Sequence, residues 1–305
     1  MRTAIISATL ICLTGAASAA PEFSGATLER SAQVYVPNVE AMVFDDIASK
    51  LSAEAQGALV GLQLDIPLRA SHAMNFYAHA PSRTIIVPIN TLRFVDEYAR
   101  VFAWFESQGC RTEYVLSYLA EAIGSDAPLP GPLDAFGLTV GILDDHYTDD
   151  VSQKVLKSIV YYALAHEVGH ILYGHAGGAD GPHSVTQEIE ADEVAIEVFR
   201  QTGAPPAGAV FYFFAAQFLD HDGPDATHPV SSDRIERIAA SMRADPASFA
   251  WAEPVPAAAE AQVLSLAAEL DGVAEVLRDP AFRRDRIAAL RQTFPRSDWA
   301  SACPE

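Results

Sequence analysis

The stretch YYALAHEVGHILYGH, Tyr161 to His175, sets two histidines and a glutamate at the centre of an apolar helical run. Burying three such groups without partners is costly, so the chain must fold around something that compensates them. A metal ion is the obvious candidate. Each helical residue advances about 100°, which puts His166 and His170 about 40° apart on one face and one turn apart. Two imidazoles so placed can reach one ion at about 2.0–2.1 Å. Glu167 lies about 100° round from His166, within reach of a water at the ion but badly placed to chelate with both histidines. Gly169 leaves room for a second segment to approach. The pattern is HExxH, and the apolar context argues against a chance pair of surface histidines.

A third ligand is needed. His175 falls nine residues after His166, out of register for a three-histidine site, and about 180° away on a continuous helix. It reads as a polar neighbour. His183, in a Gly-rich turn, is a weaker candidate. The run QEIEADEVAIEVF (187–199) offers carboxylates on a second helix, where Glu188 and Asp192 share a face and Glu190 points roughly the other way. A set of His166, His170 and Glu188 leaves one coordination position open, as catalytic zinc sites do. Asp192 would then accept a hydrogen bond from a ligand histidine and fix its tautomer. Acidic residues are common in this chain, so a solvated acidic helix face remains the alternative for that run.

Composition narrows the function classes. The chain has 305 residues, half of them hydrophobic, which allows a sizeable core. Its formal charge of −20 argues against nucleic acid and anionic membrane surfaces as partners. Residues 1–19 carry Arg2, an apolar run and Ala17-Ser18-Ala19, the layout of a cleavable signal peptide. The alternative of an uncleaved anchor is disfavoured because the run is short and alanine-rich. Periplasmic or secreted localisation follows, with no stable membrane span after cleavage. Two cysteines, Cys110 and Cys303, then remain, and in an exported chain they suggest a disulfide, with free thiols as the alternative.

The rest of the chain reads as α+β and mostly helical. The pattern predicts helices over 44–59, 90–107, 112–123, 149–174, 185–202, 206–219, 231–244, 258–278 and 280–292. Thr148, Asp149 and Asp150 should cap and charge the start of the metal-bearing helix, and Gly174 should close it. Strands are expected at 59–70, held to an edge or end by Pro67, and at 83–89. Residues 124–137 read as a loop and 177–184 as a turn. Residues 20–305 form a single domain in this reading, with a core over 74–244 and a C-terminal helical segment over 255–295.

HEVGHILYGH, EIEAD and THPVSSDRI occur in that order. Together they resemble the HtpX and CAAX-prenyl-endopeptidase family of gluzincin zinc metallopeptidases, whose motifs are HExGHxxxxH, ExxAD and HP followed by Arg. The first motif matches at His166, Glu167, Gly169, His170 and His175. The second matches at Glu188, Ala191 and Asp192, and the third at His228, Pro229 and Arg234. Residues 74–92 resemble the family's edge-strand region more loosely. Residues 93–150 are longer than the family's usual link, and many members are membrane-embedded. The resemblance implies a zincin-like domain with one Zn2+ per chain and a protein or peptide substrate. It gives the third ligand to Glu188 and the oxyanion donor to His228. Glu167 acts as general base, while Arg234 pairs with a carboxylate. The strand at 83–88 is expected to take an extended substrate by strand addition. Two rival readings are a non-catalytic zinc-binding or chaperone-like module and a hydrolase of a non-peptide amide.

Overall fold

A computed structural model of the chain describes residues 21–70, 73–124, 129–175, 182–218, 228–292, 294 and 303, with only the backbone of 182 and 183. The expected signal peptide, most of the 177–184 turn and the side chain of His183 lie outside the described residues. The rest is α+β and mostly helical, with one small sheet.

The first helix, α1 (Gly25–Ala41), is absent from the sequence expectations. Pro37 lies inside it and only Leu28, Ser31 and Val39 are buried, so its periodic signal is weak. A tertiary bond secures it: the Tyr35 phenol donates to Asp96, which Arg100 grips from the other side. The helix continues through a π-helical turn, Met42–Ile47, and a short turn, Ala48–Lys50. Leu51 then goes extended, and Ser52 caps a separate helix at Ala53–Ala58. The single helix expected over 44–59 is therefore two pieces, because the Ser52 hydroxyl accepts the Ala55 N–H and starts the second one afresh.

Three short strands follow: β1 (Gln63–Asp65), β2 (Tyr77–His79) and β3 (Thr84–Ile86), in the order β1-β3-β2. β3 runs parallel to β1 and antiparallel to β2. This corrects the expected substrate strand. Residues 84–86 lie at the centre of the sheet with both edges paired, so no further strand can add there. The apolar run Thr84-Ile85-Ile86 is central because Ile85 and Ile86 are both buried. β1 lies at an edge, as Pro67 requires.

Helices α2 (Ile89–Ser107) and α3 (Glu113–Gly124) follow as predicted. The loop expected over 124–137 contains a short helix, Pro132–Ala135. Buried Glu97 on α2 accepts the Leu133 N–H and fixes that turn. Cys110, between α2 and α3, is joined by a disulfide to Cys303.

The motif helix, α4 (His146–Tyr173), starts earlier than 149. Its cap is Asp145, whose Oδ2 accepts from the Thr148 amide at 3.0 Å and the Thr148 hydroxyl at 2.6 Å. Ser107 at the end of α2 donates to the same oxygen at 2.6 Å. The expected cap thus shifts: Thr148 lies in the first turn as a donor. Gly174 ends the helix in the left-handed region at φ 65°.

From Ile159 to Ile171, α4 is buried on every face, with α2, α5 (Pro182–Thr202) and α6 (Ala207–Ala216) around it. Two glycines set these crossings. A Cβ on Gly169 would lie 2.7 Å from Ala191 Cα of α5, and one on Gly208 of α6 would lie 2.0 Å from the Ser158 carbonyl oxygen. Only glycine permits either approach. Helices α7 (Ser232–Ala244), α8 (Pro256–Arg278) and α9 (Pro280–Arg291) complete the chain. α8 packs on α6 and α7, so one continuous hydrophobic cluster extends from Phe23 to Ala274.

Candidate metal centre

The contact between Gly169 and Ala191 turns Glu188 and Asp192, one turn apart on α5, toward His166 and His170 on α4. All four side chains are buried. His166 Nε2 lies 3.1 Å from His170 Nε2 and 3.4 Å from Glu188 Oε2, and His170 Nε2 lies 3.3 Å from Glu188 Oε1. His228, which enters just before α7, brings its Nδ1 to 3.1 Å from Glu188 Oε1. One donor atom from each of these four residues lies within 4.8 Å of the others.

The surrounding hydrogen bonds fix the histidine tautomers. Asp192 Oδ1 is 2.9 Å from His166 Nδ1 and accepts from the Tyr162 phenol at 2.8 Å. Arg234 donates to the same carboxylate from Nε at 2.8 Å and Nη2 at 2.9 Å. A carboxylate only accepts, so His166 Nδ1 carries the proton and its Nε2 lone pair is bare. On the other side His175 Nε2 lies 2.9 Å from Glu190 Oε2, so that nitrogen is the donor. His175 Nδ1 then accepts from His170 Nδ1 at 2.8 Å, which leaves His170 Nε2 bare as well. His175 reaches this position because the left-handed turn at Gly174 folds the chain back, and its amide donates to the His170 carbonyl at 3.0 Å. The 180° separation computed for a continuous helix does not apply beyond Tyr173.

Two bare nitrogens 3.1 Å apart repel unless a cation or proton lies between them. Ligand atoms arranged tetrahedrally about 2.0–2.1 Å from an ion would lie about 3.3 Å apart, close to the distances here. The charge points the same way: three buried carboxylates, Glu167, Glu188 and Asp192, face one guanidinium, Arg234, leaving a formal −2. Glu167 Oε2 is buried and has no hydrogen-bond partner among the described residues. Two imidazoles and a carboxylate at these spacings suit a divalent cation.

Titration follows from this field. Burial opposes charge on His166, but the hydrogen bonds to Asp192 and Glu188 outweigh it and push the imidazole up to about 10. Burial lowers His170. Glu188 is held well below the usual carboxylate range despite its burial, chiefly by His228 and Arg234. Without a cation, a proton on His166 takes its place.

The sequence reading missed two residues. Tyr162, one turn before His166, packs its ring 6.3 Å from that imidazole and bonds Asp192. Tyr212 on α6 lies with its ring 6.1 Å from His166. The four-residue spacing could have found Tyr162; Tyr212 depends on how α6 crosses α4.

A buried helix carrying HExxH, with a glutamate from the next helix closing on its histidines, forms a group that could hold a metal ion. Residues 110–253 match the Peptidase U49 family, a stretch that includes α3, α4, α5, α6 and α7. No curated protein and no solved structure matches the chain. The matched family differs from the one the motifs resemble, and peptidase is the level at which the two agree.

Proposed function

We propose that the chain is a zinc-dependent endopeptidase that acts on exported or periplasmic proteins. The observation that carries this reading is the buried, unpartnered Glu167 carboxylate oxygen beside the His166, His170 and Glu188 donors. Those three residues would hold the ion, and Asp192, Arg234 and the His175–Glu190 pair would hold the ligands in orientation. A bound zinc ion supplies a Lewis acid and lowers the pKa of a water to about 7. Glu167 would take a proton from the attacking water and pass it to the leaving amine. β2, an edge strand packed against α4, is the sheet edge to which an extended peptide would add. Among the described residues no helix is long and apolar enough to cross a membrane. Export rests on the N-terminal signal reading alone.

His228 favours a second reading. Four protein ligands make a closed, structural zinc site, and His228 supplies a fourth donor to the group. Glu167 argues against that reading, because a structural site has no use for a buried base. Zinc analysis with casein cleavage, with and without a chelator, tests both. Chelator-sensitive cleavage that Glu167→Ala abolishes while keeping zinc supports the endopeptidase. Zinc retention with no cleavage by the wild type would leave the structural module.

A further inference from the structure

Peptide hydrolysis needs a hydrogen-bond donor for the carbonyl oxygen as it becomes an oxyanion. The resemblance gives that role to His228, yet its Nδ1 lies 3.1 Å from Glu188 Oε1, a carboxylate that can only accept, so that N–H is committed there. The other donors at the centre are also committed. The Tyr162 phenol goes to Asp192. Arg234 donates to Asp192 and the Pro229 carbonyl, and its charge pairs with Glu188. His175 goes to Glu190.

Tyr212 differs. Its phenol makes no hydrogen bond among the described residues, although it lies in the field of Arg234, Glu188, Glu167 and Asp192. Its placement is built in. The Gly208 amide donates to Ser158 Oγ at 2.6 Å where α6 crosses α4. One turn later the Tyr212 ring lies 5.4 Å from the Tyr162 ring and 6.1 Å from His166. It is only half-buried, whereas His166 and Tyr162 are wholly enclosed. Burial pushes its phenol well above the ordinary 10, so the hydroxyl keeps its proton at neutral pH.

We propose that Tyr212 is a catalytic residue of this centre, its phenol donating a hydrogen bond to the substrate carbonyl oxygen as the tetrahedral intermediate forms. The inference rests on the peptidase reading. In the step concerned the water oxygen bonds to the carbonyl carbon, and the C=O π pair moves onto oxygen. Glu167 takes the water's proton, and the Tyr212 hydroxyl stabilises the new charge without giving up its own proton. Collapse then breaks the C–N bond, and the amine leaves with the proton from Glu167.

Tyr212→Phe keeps the ring against His166 and Tyr162 and removes only the hydroxyl. The full-length zinc-loaded variant should keep one zinc per chain, and its KM on casein should stay within about twofold. Its kcat should fall by about 10²-fold. Affinity for an N-phosphoryl dipeptide, a tetrahedral anion, should weaken by a comparable factor in titration calorimetry. Loss of zinc, or unchanged kcat and phosphoryl-dipeptide affinity, overturns the role. If the wild type holds zinc and binds the N-phosphoryl dipeptide but cleaves no casein, the endopeptidase reading fails and the binding comparison still decides Tyr212. If the wild type holds no zinc, both fall.

Discussion

Arg234 grips Asp192 by two parallel hydrogen bonds, Nε to Oδ2 at 2.8 Å and Nη2 to Oδ1 at 2.9 Å, with both side chains buried. The same guanidinium places Nη1 2.9 Å from Glu188 Oε2. One side chain thus holds the partner of His166 and a candidate ligand at once. Arg234→Ala leaves two buried carboxylates short of a cation and should cost about 3–5 kcal/mol of stability, read from denaturant unfolding. Arg234→Lys keeps the charge but loses the fork, and should weaken zinc binding about 10–100-fold.

Metal content separates ligands from neighbours. If the group holds one zinc ion as proposed, His166→Ala, His170→Ala and Glu188→Ala should each abolish it, because each removes a donor from the group. Glu190→Ala should keep it with reduced affinity, since the Glu190 carboxylate bonds His175 and is not a member of the donor group. Elemental analysis of the purified variants checks this. Metal loss in Glu190→Ala with retention in Glu188→Ala would reverse the assignment.

In the proposed site, a proton and the metal would compete for His166. Without metal its pKa is raised to about 10, above the ordinary 6.5. The stability it lends the metal-free protein is therefore full below about pH 6.5 and lost as pH rises toward about 10. The melting temperature of chelator-treated protein should fall across that window, while the zinc-loaded protein stays flat. Loading at pH 7 should release protons, measurable by calorimetry in buffers of different ionisation enthalpy.

His228 is tested by comparing metal hold with turnover. Its Nδ1 to Glu188 contact predicts that His228→Ala weakens zinc binding about 10–100-fold in chelator competition. An oxyanion donor would instead leave zinc affinity intact and lower kcat by about 10²–10³-fold. Measuring both quantities on saturated enzyme distinguishes the two roles.

The Cys110–Cys303 disulfide closes a loop with a sequence separation of 193. Chain entropy alone gives an upper figure of about 5 kcal/mol for such a loop. Intact-mass analysis of exported material should find no alkylatable thiol. The Cys110→Ala/Cys303→Ala double variant should melt lower than wild type.

The sequence by itself determined the parts of this protein that depend on local periodicity. The HExxH face, the Gly174 stop and the helices of the second half are set by residues within a turn or two of one another, so their spacing is visible without a fold. The Glu188–Asp192 face could be read for the same reason. Only the tertiary structure decided what those faces meet. Gly169 against Ala191 brings α5 close enough for Glu188 to reach both histidines. Gly208 against Ser158 swings Tyr212 beside His166 from 46 positions further along the chain. Helix α1 is likewise held by the distant Asp96, and β3 is a central strand only because β1 and β2 flank it. Each of these is a contact between segments far apart in sequence, fixed by close packing, and no local pattern encodes it.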